Sequence, residues 1–253
     1  MDPIPIGLIA FSLMLSGALL GIFGRGVVPA VHLDADSRDI MKLAISLIAT
    51  MTALVLGLLI SSARISFDTT TTSVRSTAAT LIVLDRVLGR YGAEAGEVRH
   101  LLHRAITQRM DSIWPEDKAQ SAKLDDPDMA LAFEALEDKI HRLVPQDDHQ
   151  RWLQSRALEA TNELLQVRWL LQESGSGIPS SPFLVALIFW LTFIFATFGL
   201  MAPRNSTVIG VLTISALSVA ISIVLVLEME HPFAGLIKVS SAPIRFMISH
   251  LGQ

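Results

Sequence analysis

Residues 183–202 read FLVALIFWLTFIFATFGLMA and contain no charged side chain. An α-helix rises about 1.5 Å per residue, so a stretch of this length can cross roughly 30 Å of hydrocarbon. Its Leu, Ile, Phe and Val side chains favour membrane insertion by roughly 4–7 kcal/mol. A surface helix of a soluble protein would show a polar stripe, and this stretch has none. It therefore predicts a transmembrane helix.

Three other long runs also lack Asp, Glu, Lys and Arg. They lie between Asp2 and Arg25, between Lys42 and Arg64, and between Arg204 and Glu228. The first does not resemble a cleaved signal peptide, because its leader is acidic and its arginine follows the apolar stretch. The sequence therefore predicts four transmembrane helices. The second is expected to continue well beyond the membrane, because no Gly or Pro occurs between Ile60 and Gly89.

The composition narrows the class of protein further. Hydrophobic residues make up 51% of the chain and charged residues 17%, and there is no cysteine. Disulfides, thiolate metal sites and cysteine nucleophiles are therefore excluded. A net charge of −4 gives no support to a nucleic-acid partner. Because nucleophile and phosphate-binding motifs are also missing, we expect neither enzyme activity nor a cofactor.

The segment between the second and third apolar runs is predicted to be a helical extramembrane bundle. Apolar or small residues recur there in steps of three and four, which is typical of amphipathic helices. The expected buried stripes include Leu81, Leu84, Leu88, Val98, Leu102, Ala105, Leu136, Ile140, Leu153, Ala157, Ala160 and Leu164. The predicted fold class is therefore all-α. The predicted segments are residues 1–63 (helices one and two), 64–177 (helical domain), 178–228 (helices three and four) and 229–253 (amphiphilic tail).

One face of the second transmembrane helix consists of small and weakly polar residues. The spacing of four, three, four, four and three residues places them in one line: Ser46, Thr50, Ala53, Gly57, Ser61 and Arg64. Such a stripe either lets helices approach closely or lines a hydrated path. We keep both interpretations at this point and treat the six residues as pore-lining candidates.

Two carboxylate–histidine patterns occur in the helical domain. Glu97, His100 and His103 follow each other at three-residue spacing, and Asp138 precedes His141 by three residues. Facing helices with such motifs can bind metal ions in a bundle. Only fragments of the required ligand set are present, so we favour ordinary solvated helix faces and predict no metal site.

A second group of candidate residues follows the fourth apolar run. It consists of Glu228, Glu230, His231, Pro232, Phe233 and Gly235. Pro232 is expected to end the helix, and Gly235 to supply a backbone turn. Two acids at a helix C-terminus oppose the helix dipole and therefore suggest a cationic partner. The motif can be a structural cap or an ion or gating site.

The order of the segments, together with the sequence Glu230-His231-Pro232-Phe233-Ala234-Gly235, resembles the bacterial bestrophin-like domain family. Members have two membrane helices, a helical middle and two more membrane helices, followed by an acidic-x-Pro-Phe-x-Gly motif. They usually carry a basic residue, often arginine, where this chain has His231. The resemblance implies a homo-oligomeric membrane protein. By analogy with bestrophins it implies a pentameric ion channel whose second membrane helix lines the pore.

The leading hypothesis is therefore an oligomeric ion channel in the lipid bilayer of a bacterial inner membrane, with small ions as its substrates. The alternative is a non-conducting scaffold or sensor whose helical domain binds a ligand or a protein. Lys and Arg residues flanking the apolar runs are nearly balanced between the two sides, so they do not decide the orientation. The uncharged stripe gives no prediction of ion selectivity.

Overall fold

The computed structural model describes residues 3–24, 35–114, 127–175, 181–233 and 235–250. These residues form an all-α fold without a strand, which confirms the predicted fold class. The helices are α1 (Pro3–Gly24), α2 (Ala35–Tyr91), α3 (Gly96–Ile113), α4 (Pro127–His141), α5 (Asp148–Gly175), α6 (Ser181–Met201), α7 (Ser206–Met229) and α8 (Ala242–His250). The 3-10 turn Ala93–Ala95 joins α2 to α3.

Four of the described helices, α1, α2, α6 and α7, are long and apolar enough to cross a membrane. They correspond to the four charge-free runs of the sequence. α2 has 57 residues and continues past the apolar run, as the lack of Gly and Pro predicts. It ends before Gly92, whose φ of 124° is a backbone conformation that favours glycine.

The chain divides into two compact units. The first unit contains Met1–Ile65 and Ile178–Glu230, and the second contains Ser66–Gly177 and His231–Gln253. The tail thus belongs to the same unit as the helical domain. The predicted segment boundary at residue 177 lies outside the described residues.

In the first unit, α1 packs against α6 and α7. The core combines small and large residues of all three helices: Ala10, Met14, Ala18, Leu187, Leu191, Phe195, Ala216, Ala220, Ile223 and Leu227. Lipid is as apolar as these side chains, so close packing rather than hydrophobic burial must hold such helices together.

Glycines allow the backbones of α1 and α6 to come into direct contact. A Cβ atom on Gly17 would lie 3.0 Å from the Thr192 carbonyl oxygen. A Cβ on Gly21 would overlap the Ala196 carbonyl oxygen, and one on Gly199 would overlap the Ala18 carbonyl oxygen. The Gly17–Gly21 pair, which has the spacing of a tight helix-pairing motif, is therefore used within one chain.

The α6–α7 hairpin supplies two caps to the first unit. Arg204 donates from Nε to the Ile22 carbonyl oxygen (3.2 Å) and from Nη2 to the Phe23 carbonyl oxygen (3.1 Å). It thus satisfies two of the free carbonyls at the C-terminus of α1. Asn205 caps α7 by accepting a hydrogen bond from the Val208 amide at 2.9 Å.

The second unit has its own core, in which the predicted stripes of α2, α3, α4 and α5 meet. It contains Leu81, Leu84, Leu88, Val98, Leu102, Leu136, Ile140, Leu153, Ala157, Ala160 and Leu164. The prediction was wrong at one position of α3, where Ile106 is buried and Ala105 is half-buried. The structure continues the face of Val98 and Leu102 by a step of four.

Candidate pore-lining face and tail motif

Two hydroxyl groups on the candidate face of α2 are bonded within the helix. Ser46 Oγ donates to the Lys42 carbonyl oxygen and Thr50 Oγ1 donates to the Ser46 carbonyl oxygen, both at 2.8 Å. A hydroxyl bonded in this way keeps its hydrogen satisfied and presents oxygen lone pairs outward. Such residues are tolerated in a membrane helix and can also contact water.

All six candidate residues are exposed within a single chain: Ser46, Thr50, Ala53, Gly57, Ser61 and Arg64. A Cβ added to Gly57 would meet no atom within 4 Å. We call these six residues the pore-lining face. The structure places them together on one side of α2.

The opposite side of α2 is the one that packs within the chain. Ile45, Thr52 and Ala63 are 5%, 4% and 3% exposed, and Val55, Leu56 and Leu59 contact the core of the first unit. The apolar part of α2 is nevertheless the least covered of the four candidate spans. Only 11% of it is buried, compared with 33% for α1, 28% for α6 and 17% for α7.

The tail motif is divided between the two units. Glu228, at the end of α7 in the first unit, is only 2% exposed, and Glu230 is half-buried. His231 is exposed, whereas Pro232 is half-buried. Gly235 is exposed and has a φ of 85°, which fits its expected role in a backbone turn.

Phe233 belongs to the core of the second unit. Its ring meets Trp114 edge to face, with ring centroids 5.6 Å apart and an interplanar angle of 79°. Trp114 Nε1 donates to the Val239 carbonyl oxygen at 2.9 Å, and the Val239 amide donates to the Pro232 carbonyl oxygen at 2.8 Å. The apolar end of the motif therefore closes a loop and anchors it to the end of α3.

Two residues of the first carboxylate–histidine pattern, Glu97 and His103, contact charged side chains of the helical domain. Glu97 Oε1 lies 2.5 Å from Lys139 Nζ, and this bond lowers the pKa of Glu97. His103 Nε2 lies 3.0 Å from Asp85 Oδ1. Among the described residues no group of three or more His, Cys, Asp or Glu side chains has the geometry of a metal site. Glu97 and His103 thus contact different partners rather than a shared ion.

Asp85 is a buried charged residue of the helical domain, and its burial was not predicted from the sequence. It is 3% exposed and accepts two hydrogen bonds from Arg99, from Nε at 2.9 Å and from Nη2 at 2.8 Å. This bond raises the pKa of Arg99. Arg99 and His103 are four residues apart on α3 and so reach the same carboxylate. The signal in the sequence was an acid directly beside the apolar stripe of Leu84 and Leu88.

These features define an all-α membrane protein with four helices suited to spanning a bilayer and a separate helical unit. The family model described as Bestrophin-like domain matches residues 12–244, so the chain belongs to the bestrophin-like family. No curated protein and no solved structure matches the chain. The family and the apolar helices together support a lipid environment, an oligomer and a function of the membrane-channel type.

Proposed function

We propose that this protein is an oligomeric ion channel in which α2 of each copy turns its pore-lining face towards a common axis. By analogy with bestrophins the number of copies is five, and the membrane is the bacterial inner membrane. Small ions are the substrates, and the protein performs no chemical reaction on them.

The exposure of the pore-lining face carries this proposal. Within one chain, α2 packs through the side of Thr52, Val55 and Leu59, and leaves the small and hydroxyl-bearing side open. Large apolar side chains would suit a face that meets only lipid. They are exposed on α6, for example Phe189, and on the side of α2 next to the pore-lining face, for example Leu54. Small residues and hydroxyls suit a hydrated path instead.

The tail motif is proposed to have a structural role within each of the two units. Phe233 is packed in a core, and Glu228 is buried at the C-terminus of its helix. These observations favour the structural-cap interpretation over an ion or gating site. His231 is exposed, and the proposal requires no permanent charge at that position.

The first experiment is electron microscopy of the purified protein, which should show a ring with α2 around a continuous axial path. A functional test follows with Gly57→Trp and Ser61→Leu, both expected to abolish ion flux into proteoliposomes. Since Gly57 meets no atom of its own chain, the substitution should leave the fold intact. Gly210→Trp is the matched control, because Gly210 on α7 is equally open.

Unchanged flux in the Gly57→Trp protein would contradict the channel proposal. It would favour the alternative of a non-conducting scaffold or sensor. That alternative draws support from the exposed apolar side chains of the second unit, where Val144 is 71% and Trp152 is 58% exposed. A stoichiometric protein partner recovered with the wild type, and lost on Trp152→Ala, would establish it.

A further inference from the structure

The part of α2 in the second unit carries three exposed arginines on one side of the helix, Arg75, Arg86 and Arg90. Separations of eleven and four residues are close to whole numbers of turns, so the three side chains share a face. Among the described residues, none of the three takes part in a hydrogen bond or ion pair. We call them the arginine face.

Three other basic residues of the same unit take part in ion pairs. Arg99 is bonded to Asp85, Lys139 to Glu97, and Arg156 to Glu159. Arg86 and Arg90 are one turn apart and carry like charges, which is unfavourable in an isolated helix. An acidic partner would relieve this repulsion.

An acidic face of matching spacing lies on α4 of the same unit. Glu134 and Asp138 are one turn apart, exposed, and without an ionic partner in the described part of the chain. Glu137 lies between them, with Oε1 3.9 Å from His141 Nε2, a distance too long for a hydrogen bond. The side chains of Glu134 and Asp138 are separated by roughly 5–6 Å along the helix, as are those of Arg86 and Arg90.

We propose that the arginine face of one copy docks on the acidic face of a second copy. Charge complementarity identifies the occupant, because one chain offers both unpaired sets at the same helical spacing. The contact joins two different surfaces, so each copy keeps one acidic and one basic face for its two neighbours. Head-to-tail contacts of this kind form a ring when the rotation between neighbouring copies closes. A ring is the assembly that the proposed channel requires, and this inference rests on that proposed function.

A charge-swap experiment tests the contact. The double variant R86E/R90E and the double variant E134R/D138R should each weaken self-association by at least about tenfold, because like charges would then face each other. The quadruple variant, which exchanges both charges, should restore it. Self-association is measured by native mass spectrometry of the full chain in detergent and in neutral-lipid nanodiscs.

The control is K238E/R245E, which reverses two exposed basic residues of the same unit outside both faces and should leave assembly unchanged. Circular dichroism of each variant checks that the helical unit is folded. Wild-type assembly that persists in both double variants would overturn this inference while leaving the channel proposal standing. Loss of assembly without rescue in the quadruple variant would also overturn it and assign the arginines to another anionic ligand. A monomeric wild type would overturn both proposals.

Discussion

The side chain of Asp85 is a single charged group in the interior of the helical unit. The carboxylate is 3% exposed and accepts contacts from Arg99 and His103 on α3. A buried charge is strongly unfavourable unless it is paired and hydrogen-bonded. The three contacts satisfy it and hold α3 against α2.

Removing this carboxylate should destabilise the second unit. Asp85→Ala leaves the Arg99 guanidinium and His103 without their acceptor, and we expect a loss of about 2–4 kcal/mol of unfolding free energy. Thermal or urea unfolding followed by circular dichroism measures the loss. Glu159→Ala removes one partner of an exposed pair and should cost no more than about 1 kcal/mol. Equal effects of the two substitutions would contradict the role given to Asp85.

Tyr91 differs from Asp85, because its buried hydroxyl has no hydrogen-bond partner among the described residues. Tyr91→Phe should therefore leave stability unchanged or raise it by up to about 2 kcal/mol. Burial raises the pKa of Tyr91, and the negative charges of Glu94 and Asp147 raise it further. The folded state thus holds this proton more tightly, and stability falls as the pH rises above the unfolded value of about 10.

Unfolding of wild type and Tyr91→Phe at neutral pH and at about pH 11 measures this difference. The variant should lose less stability at the higher pH, because it has no phenol to ionise. A clear destabilisation of the variant at neutral pH would show that the hydroxyl has a partner.

At the scale of elements, the close approach of α1 and α6 decides the arrangement of the first unit. Gly17, Gly21 and Gly199 remove the side chains that would separate the two backbones. The sequence pattern Gly-x-x-x-Gly predicts a close contact but not its partner, because a helix in lipid can use such a face within its chain or with another copy. The contact also requires a complementary surface on α6. The spacing of small residues in α1 alone therefore does not predict which helix it contacts.

Gly21→Leu should disrupt this contact. A side chain at Gly21 would overlap the Ala196 carbonyl oxygen of α6, a backbone atom that cannot move aside independently. We expect a loss of about 1–3 kcal/mol or more, visible as a lower melting temperature and earlier aggregation in detergent. Gly210→Leu introduces the same side chain into open space and should leave both unchanged. A Gly21→Leu protein as stable as this control would mean that the two helices are not in contact.

The apolar stripes of the helical unit were easier to predict than its polar contacts. Leu81, Leu84 and Leu88 follow a 3.6-residue period, and the structure buries them. Ile106 was missed because the stripe can shift by one residue within a helix without breaking the pattern. Asp85 was missed because its partners lie fourteen or more residues away, on a helix whose orientation the pattern does not determine.

At the scale of the whole molecule, the sequence contains enough information for the fold class, the four apolar helices and the continuation of α2. Each of these follows from the length of charge-free runs and the positions of Gly and Pro, which are local properties. The role of the pore-lining face remains a prediction, because it depends on how several copies are arranged. The four-segment division likewise remains a prediction, although the structure assigns the tail and the helical domain to one unit.

The glycine contact between α1 and α6 has a consequence for biosynthesis. Gly21 and Gly199 are separated by roughly 180 residues of chain. At about 5–20 residues per second, α1 is made some 10–35 s before the surface on α6 that fits it. During that interval the small-residue side of α1 must be covered by lipid chains or by the insertion machinery. The first unit therefore completes its packing late, and substitutions at this contact should expose newly made protein to membrane proteases before they affect the mature form.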